Sequence, residues 1–154
     1  MKLSYLIKGL PGHPLHPPLT DFTIGSYGFA TVAAFLNVIG IVDRSAAVAW
    51  WLALVVGLCS TALTATTGFV DWIEIEWGSA TWKKATWHLT VMLAASGVFL
   101  AAALVGHGGY AKGIVGAGSF VLTAFGFALL TLGGWLGGAV VFVHGMRVTG
   151  SGES

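Results

Sequence analysis

Gly12-His13-Pro14-Leu15-His16-Pro17-Pro18-Leu19-Thr20-Asp21 runs directly into an apolar stretch that lasts to Ile41. Proline fixes its own φ and pushes the residue before it out of the α region. Leu15-His16-Pro17-Pro18 is therefore expected outside any helix interior, as an extended collar carrying two histidines. From Leu19 onward the chain is long and apolar enough to cross a hydrocarbon core of about 30 Å at about 1.5 Å per residue. The collar thus marks where a membrane segment begins.

The rest of the chain supports the same reading. It has 154 residues, 56% of them hydrophobic and 8% charged, and a mean hydropathy of +0.85. A soluble domain carries about 25% charged residues. Four apolar runs, 19–41, 47–70, 85–105 and 114–146, define an all-α, four-helix transmembrane bundle, one domain over residues 1–154. Asp43-Arg44 is a short turn. Trp50-Trp51 opens the second span at an interface, and Asp71-Trp72 closes it. Ile73 to Lys84, rich in Trp and charge, reads as an interfacial segment between the second and third helices. Gly106 to Gly113 reads as a loop. The fourth run is longer than a span needs, which implies tilt or an end outside the hydrocarbon. No inverted repeat stands out, and the first ten residues lack the pattern of a removable signal peptide.

Charge and cysteine usage narrow the function. A net charge of +1 gives no reason to expect nucleic acid. The single cysteine, Cys59, lies inside an apolar run, so neither a disulfide nor a thiolate cluster is available. Four spans put both termini and the second connection on one membrane face. That face carries Lys2, Lys8, Lys83, Lys84 and Arg147; the other carries Arg44 and Lys112. The more basic face is the cytoplasmic one, so the expected setting is a bacterial inner membrane with both termini in the cytoplasm.

The same topology gathers imidazoles. His13 and His16 precede the first span, His88 starts the third, and His144 ends the fourth. Asp71 ends the second span on that same face. Only His107 lies on the other side. Ionisable groups in spans are costly and usually face a bundle interior or a cofactor, so His13, His16, His88 and His144 are candidate cofactor ligands, with Asp71 in support. Gly57, Thr61, Thr64, Gly68 and Asp71 recur every three or four residues and form one small, polar stripe. Gly133-Gly134-Trp135-Leu136-Gly137-Gly138 allows close backbone approach, with Gly137, Val141 and His144 aligned below it.

Gly12-His13-Pro14-Leu15-His16-Pro17, Gly68-Phe69-Val70-Asp71-Trp72, His88 and Gly137-Gly138-Ala139-Val140-Val141-Phe142-Val143-His144-Gly145-Met146 follow one another in an order that resembles the DUF2231 family of bacterial membrane proteins. The resemblance covers Gly12 to Val148. Phe22 is followed by Thr23 where a proline is usual, and Thr90-Val91-Met92 lacks the asparagine expected after the third-span histidine. The resemblance implies a four-helix membrane protein. Fusion of some relatives to Rieske-type iron–sulfur domains implies electron transfer, although Cys59 alone cannot hold a cluster.

Three functions fit these residues. The first is a b-type cytochrome-like carrier. Facing imidazoles ligate haem iron, with His88 as one ligand and His144 or His16 as the other; four imidazoles would serve two haems. Lys83, Lys84 and Arg147 would neutralise propionates, and the partners would be a quinone and a redox protein. The second is a non-haem transition-metal site built from His16, His88 and His144. The third is an accessory or assembly subunit of a larger membrane complex, or an oligomer, in which the histidines only hydrogen-bond. No nucleophile–base pair and no phosphate loop is present by spacing, so an electron-transfer component is expected rather than a stand-alone enzyme.

Overall fold

Pro17 and Pro18 stand inside the first turn of the first long helix, not before it. The computed structural model describes residues 5–10 and 13–146. A short helix, α1 (Tyr5–Lys8), leads into two paired antiparallel strands, β1 (Gly9–Leu10) and β2 (His13–Pro14). Four long helices follow: α2 (His16–Val38), α3 (Arg44–Trp72), α4 (Ala80–Tyr110) and α5 (Ala117–Phe142). The N–H groups of a helix's first turn have no intrahelical acceptor, so proline is tolerated there. The expected extended collar is therefore confined to His13–Pro14.

All four long helices are long and apolar enough to cross a membrane. Helices satisfy their own backbone groups, as a segment in lipid must. Large apolar side chains such as Phe22, Phe29, Leu63 and Leu104 remain exposed around the outside, where acyl chains would cover them. The architecture is a four-helix transmembrane bundle. Its element ends differ from those read in the sequence. The interfacial segment shrinks to residues 73–79, because Ser79 caps α4 by accepting from the Trp82 N–H at 3.0 Å. Trp82, Lys83 and Lys84 thus belong to a helix. The expected loop over Gly106 to Gly113 is helical as far as Tyr110. Gly106 is needed there because the Trp50 ring lies directly against it. Trp50 itself is fully buried and donates its Nε1–H to Thr123 Oγ1 at 3.1 Å. Trp51 is half-buried and donates to the Ala103 carbonyl at 3.1 Å, so both rings of this pair lie against α4.

The bundle is built twice from one scheme. In α2, His16 and Tyr27 are eleven residues apart; in α4, so are His88 and Phe99. In α3, Gly57 and Gly68 are eleven apart; in α5, so are Gly126 and Gly137. A Cβ at Gly57 would meet Tyr27 Cε1 at 2.6 Å, and one at Gly126 would meet Phe99 Cε1 at 3.0 Å. A Cβ at Gly68 would meet His16 Cε1 at 2.6 Å, and one at Gly137 would meet His88 Cε1 at 2.8 Å. Each hairpin, α2–α3 or α4–α5, therefore seats one ring and one imidazole on two glycines. Between helices in lipid, close packing at small residues replaces the hydrophobic effect. Tyr27 and Phe99 stack on each other with centroids 4.0 Å apart and planes 7° from parallel. Equivalent residues meet this way only at an axis relating the two halves. Both hairpins start from the same end, so the repeat is parallel, about an axis along the membrane normal.

The two ends of the bundle are fastened differently. At one end, Asn37 donates to the Asp43 carbonyl at 2.8 Å and the Gly113 carbonyl at 3.0 Å, and accepts from the Val115 N–H at 2.8 Å. One side chain thereby ties the α2–α3 turn to the α4–α5 turn. At the other end, Lys8 pairs with Glu74, joining α1 to the α3–α4 connection.

Candidate functional site

At the end where α2 and α4 begin, the two halves diverge around a cavity of about 450 Å³. That volume lies within the usual range for a small-molecule or cofactor site, about 300–1,000 Å³. Residues of all four long helices line it, His16, His88 and Asp71 among them. Most of the remaining wall is apolar or glycine, including Ile24, Leu89, Met92, Gly134, Gly138 and Val141.

The two imidazoles are held in the same way. His88 Nδ1 lies 2.8 Å from the Gly133 carbonyl. His16 Nδ1 lies 3.1 Å from the Thr64 carbonyl and 3.2 Å from Thr67 Oγ1. Gly133 stands four residues before Gly137, and Thr64 four residues before Gly68. A carbonyl only accepts, so in each ring Nδ1 carries the hydrogen and donates it. A neutral imidazole in that tautomer keeps a lone pair on Nε2. Metal-ligating histidines are oriented by this kind of bond from the other ring nitrogen. His16 also lies within electrostatic range of both Asp71 and His88.

The surroundings of the two rings are unequal. Thr20, Asp21 and Asp71 line the cavity in the α2–α3 half. The repeat places Met92, Leu93 and Val140 at the equivalent positions, and these too line the cavity. Beside His16, Thr23 Oγ1 lies 3.0 Å from Ser60 Oγ and 2.9 Å from Thr64 Oγ1, a buried hydroxyl cluster without a counterpart at the equivalent Ala95, Leu129 and Gly133. No buried side-chain nitrogen or oxygen among the described residues lacks a hydrogen-bond partner. One wall of the cavity is thus polar and acceptor-rich, and the other is apolar.

The family described as predicted membrane protein DUF2231 matches residues 12–150. The chain belongs to the DUF2231 family. No curated protein and no solved structure matches it.

In this DUF2231 chain the histidines gathered by topology separate. His16 and His88 share the cavity. His13 is exposed on β2, and His144 lies half-buried beyond the end of α5; neither lines the cavity. Among the described residues no group of three or more His, Cys, Asp or Glu side chains comes together to hold a metal ion. The trio His16, His88 and His144 is therefore not assembled, because His144 follows the last turn of α5 and does not join the pair. Asp71 is buried and borders the cavity. Lys84 places Nζ 5.7 Å from the Trp135 ring centroid and Lys83 is exposed; neither lines the cavity, and Arg147 lies outside the described residues. His107 stands at the opposite end, edge-on to Trp51 at 5.4 Å. Asp21 was missed as a site residue. Its signal in the sequence is a carboxylate five residues into an apolar helix.

Proposed function

We propose that this DUF2231 protein is an electron carrier of the membrane in which His16 and His88 would hold a b-type haem between the two halves. One observation carries the proposal. Two imidazoles, equivalent in an internal repeat, line one cavity, each with Nδ1 tied to a backbone carbonyl, so that Nε2 carries the lone pair; His16 Nε2 has only the long 3.5 Å contact with Thr20 Oγ1. Neutral imidazole is a standard axial donor to haem iron. A site on the axis between equivalent halves would suit a group held by one residue from each half.

The chain's own residues supply the rest of the fit. Gly68 and Gly137 let each ring lie against the neighbouring helix. The apolar wall around Leu89, Met92 and Val141 excludes water. Among the described residues no lysine or arginine lines the cavity, so haem propionates would belong at its mouth. Bound there, haem supplies one-electron exchange. The partners proposed with it are a lipid-soluble quinone and a redox protein, in a bacterial inner membrane with cytoplasmic termini.

The test is the colour and metal content of protein purified from haem-replete cells. The proposal expects a Soret band that shifts on dithionite reduction, with iron as the bound metal. Colourless protein carrying zinc or copper would replace haem with a non-haem site. Colourless, metal-free protein would leave the accessory-subunit reading.

A further inference from the structure

Three pieces of chain outside the four long helices border the cavity: Pro14 of β2, Ile75 of the 73–79 connection, and Met146 beyond α5. All three lie at the end where α2 and α4 begin. Glu74, Glu76 and Trp77 of the connection are exposed there, as residues at a membrane surface are. This end of the cavity therefore faces the water side, and short segments border it instead of spans.

Two of those segments are fastened to each other. Ahead of α2 the chain folds back on itself. Gly9 takes φ +81°, a conformation that favours glycine, and a Cβ there would run into the His13 carbonyl. Gly9 pairs with Pro14 and Leu10 with His13, and the Leu15 N–H donates to the Lys8 carbonyl at 3.4 Å. Lys8 is thereby held beside the strand that ends in cavity-lining Pro14, with α1 packed against α3. From there its ammonium pairs with the carboxylate of Glu74, the residue before cavity-lining Ile75. Both partners are well exposed, at 36% and 44%, which makes the pair weak and sensitive to salt. It is a fastening that holds the segments together and still releases.

We infer that α1 with β1 and β2 forms a latch at the water-facing end of the cavity, closed by the Lys8–Glu74 pair. Breaking that pair frees the strand carrying Pro14 from the connection carrying Ile75 and opens the route by which a polar solute reaches the cavity from water. The latch governs access and requires no haem, so it goes beyond the reading proposed above.

The test reads the reactivity of a thiol placed inside the cavity of the full chain in phosphatidylcholine nanodiscs. Cys59→Ser removes the single native thiol, and Gly134→Cys supplies the reporter. Gly134 lines the cavity and nothing lies within 4 Å of a Cβ there, so the side chain fits. The probe is a charged, water-soluble methanethiosulfonate, which does not cross hydrocarbon. Lys8→Gln and Glu74→Gln are each expected to speed modification about two- to fivefold at low salt, the size an exposed ion pair allows. At about 1 M salt, where screening acts within about 3 Å, the parent should react as fast as they do. Exchanging the charges, Lys8→Glu with Glu74→Lys, should restore the slow rate. Circular dichroism checks that each variant keeps its helices, and Lys8→Arg, which keeps the pair and should keep the slow rate, serves if the exchange does not fold. Equal rates in parent and single variants, an exchange or Lys8→Arg variant as fast as Lys8→Gln, or a reporter that never reacts would each overturn the inference. No haem enters this measurement. Colourless protein with a salt-sensitive latch sinks the haem reading alone, and coloured protein whose reporter ignores Lys8 and Glu74 sinks the latch alone.

Discussion

Tyr27 and Phe99 occupy the same place in the two halves of the bundle and stack on each other at 4.0 Å. Eleven residues before each stands a cavity-lining histidine. The rings therefore fix the axis on which the two imidazoles converge, one helix face at a time. Tyr27 is further held by Thr61 Oγ1, 2.8 Å from its hydroxyl.

The glycines beneath that stack are the first point of test. A methyl at Gly57 meets Tyr27 Cε1 at 2.6 Å and one at Gly126 meets Phe99 Cε1 at 3.0 Å. Tyr27 is pinned by its hydroxyl, so it yields less than Phe99. Overpacking of this kind costs roughly 1–3 kcal/mol. Gly57→Ala is expected at the upper end and Gly126→Ala at the lower, by thermal unfolding in detergent. Equal midpoints for both variants and the parent would contradict the packing described.

Gly68 and Gly137 should behave differently, because what they touch is the site. An alanine at either position pushes an imidazole off its carbonyl partner while leaving the aromatic stack alone. Gly68→Ala and Gly137→Ala are expected to keep helical content by circular dichroism but to bind added haem at least tenfold more weakly. Unchanged haem affinity in both would show that the ring positions do not matter.

Asn37 serves the opposite end. Its removal leaves the Val115 N–H and two carbonyls without that partner, and an unsatisfied buried group costs roughly 1–3 kcal/mol. Asn37→Ala is expected to lower thermal stability and to speed protease cleavage between Val38 and Gly116, with haem affinity intact. A loss of haem affinity as large as that of Gly137→Ala would show that the clasp and the site are coupled.

How much of this could be read from the sequence depended on the physics behind each signal. The four apolar runs disclosed the bundle, since lipid demands long, self-satisfied helices. Their ends were harder. Pro17 and Pro18 were expected to exclude helix, yet a first turn accommodates them. The glycines after Val105 were taken as a loop, although Gly106 is there to admit Trp50. Topology brought four histidines to one face, but height along the membrane normal says nothing of radial direction. His16 and His88 point inward because glycines receive them; His13 and His144 lie beyond the helices that could aim them. The repeat escaped notice because its halves share few residue types: Thr20 matches Met92, and Asp71 matches Val140. Only the glycine pairs and the histidine–aromatic pairs, each at eleven-residue spacing, betray it.

The most direct test of the central claim is titration of the purified apoprotein with haemin, followed at the Soret band, for the parent and for single alanine variants of four histidines. One haem per chain with a low-spin, six-coordinate spectrum is expected. That spectrum should be lost in His16→Ala and in His88→Ala and retained in His13→Ala and His144→Ala. Saturable binding that survives in both His16→Ala and His88→Ala, or none at all in the parent, would contradict it.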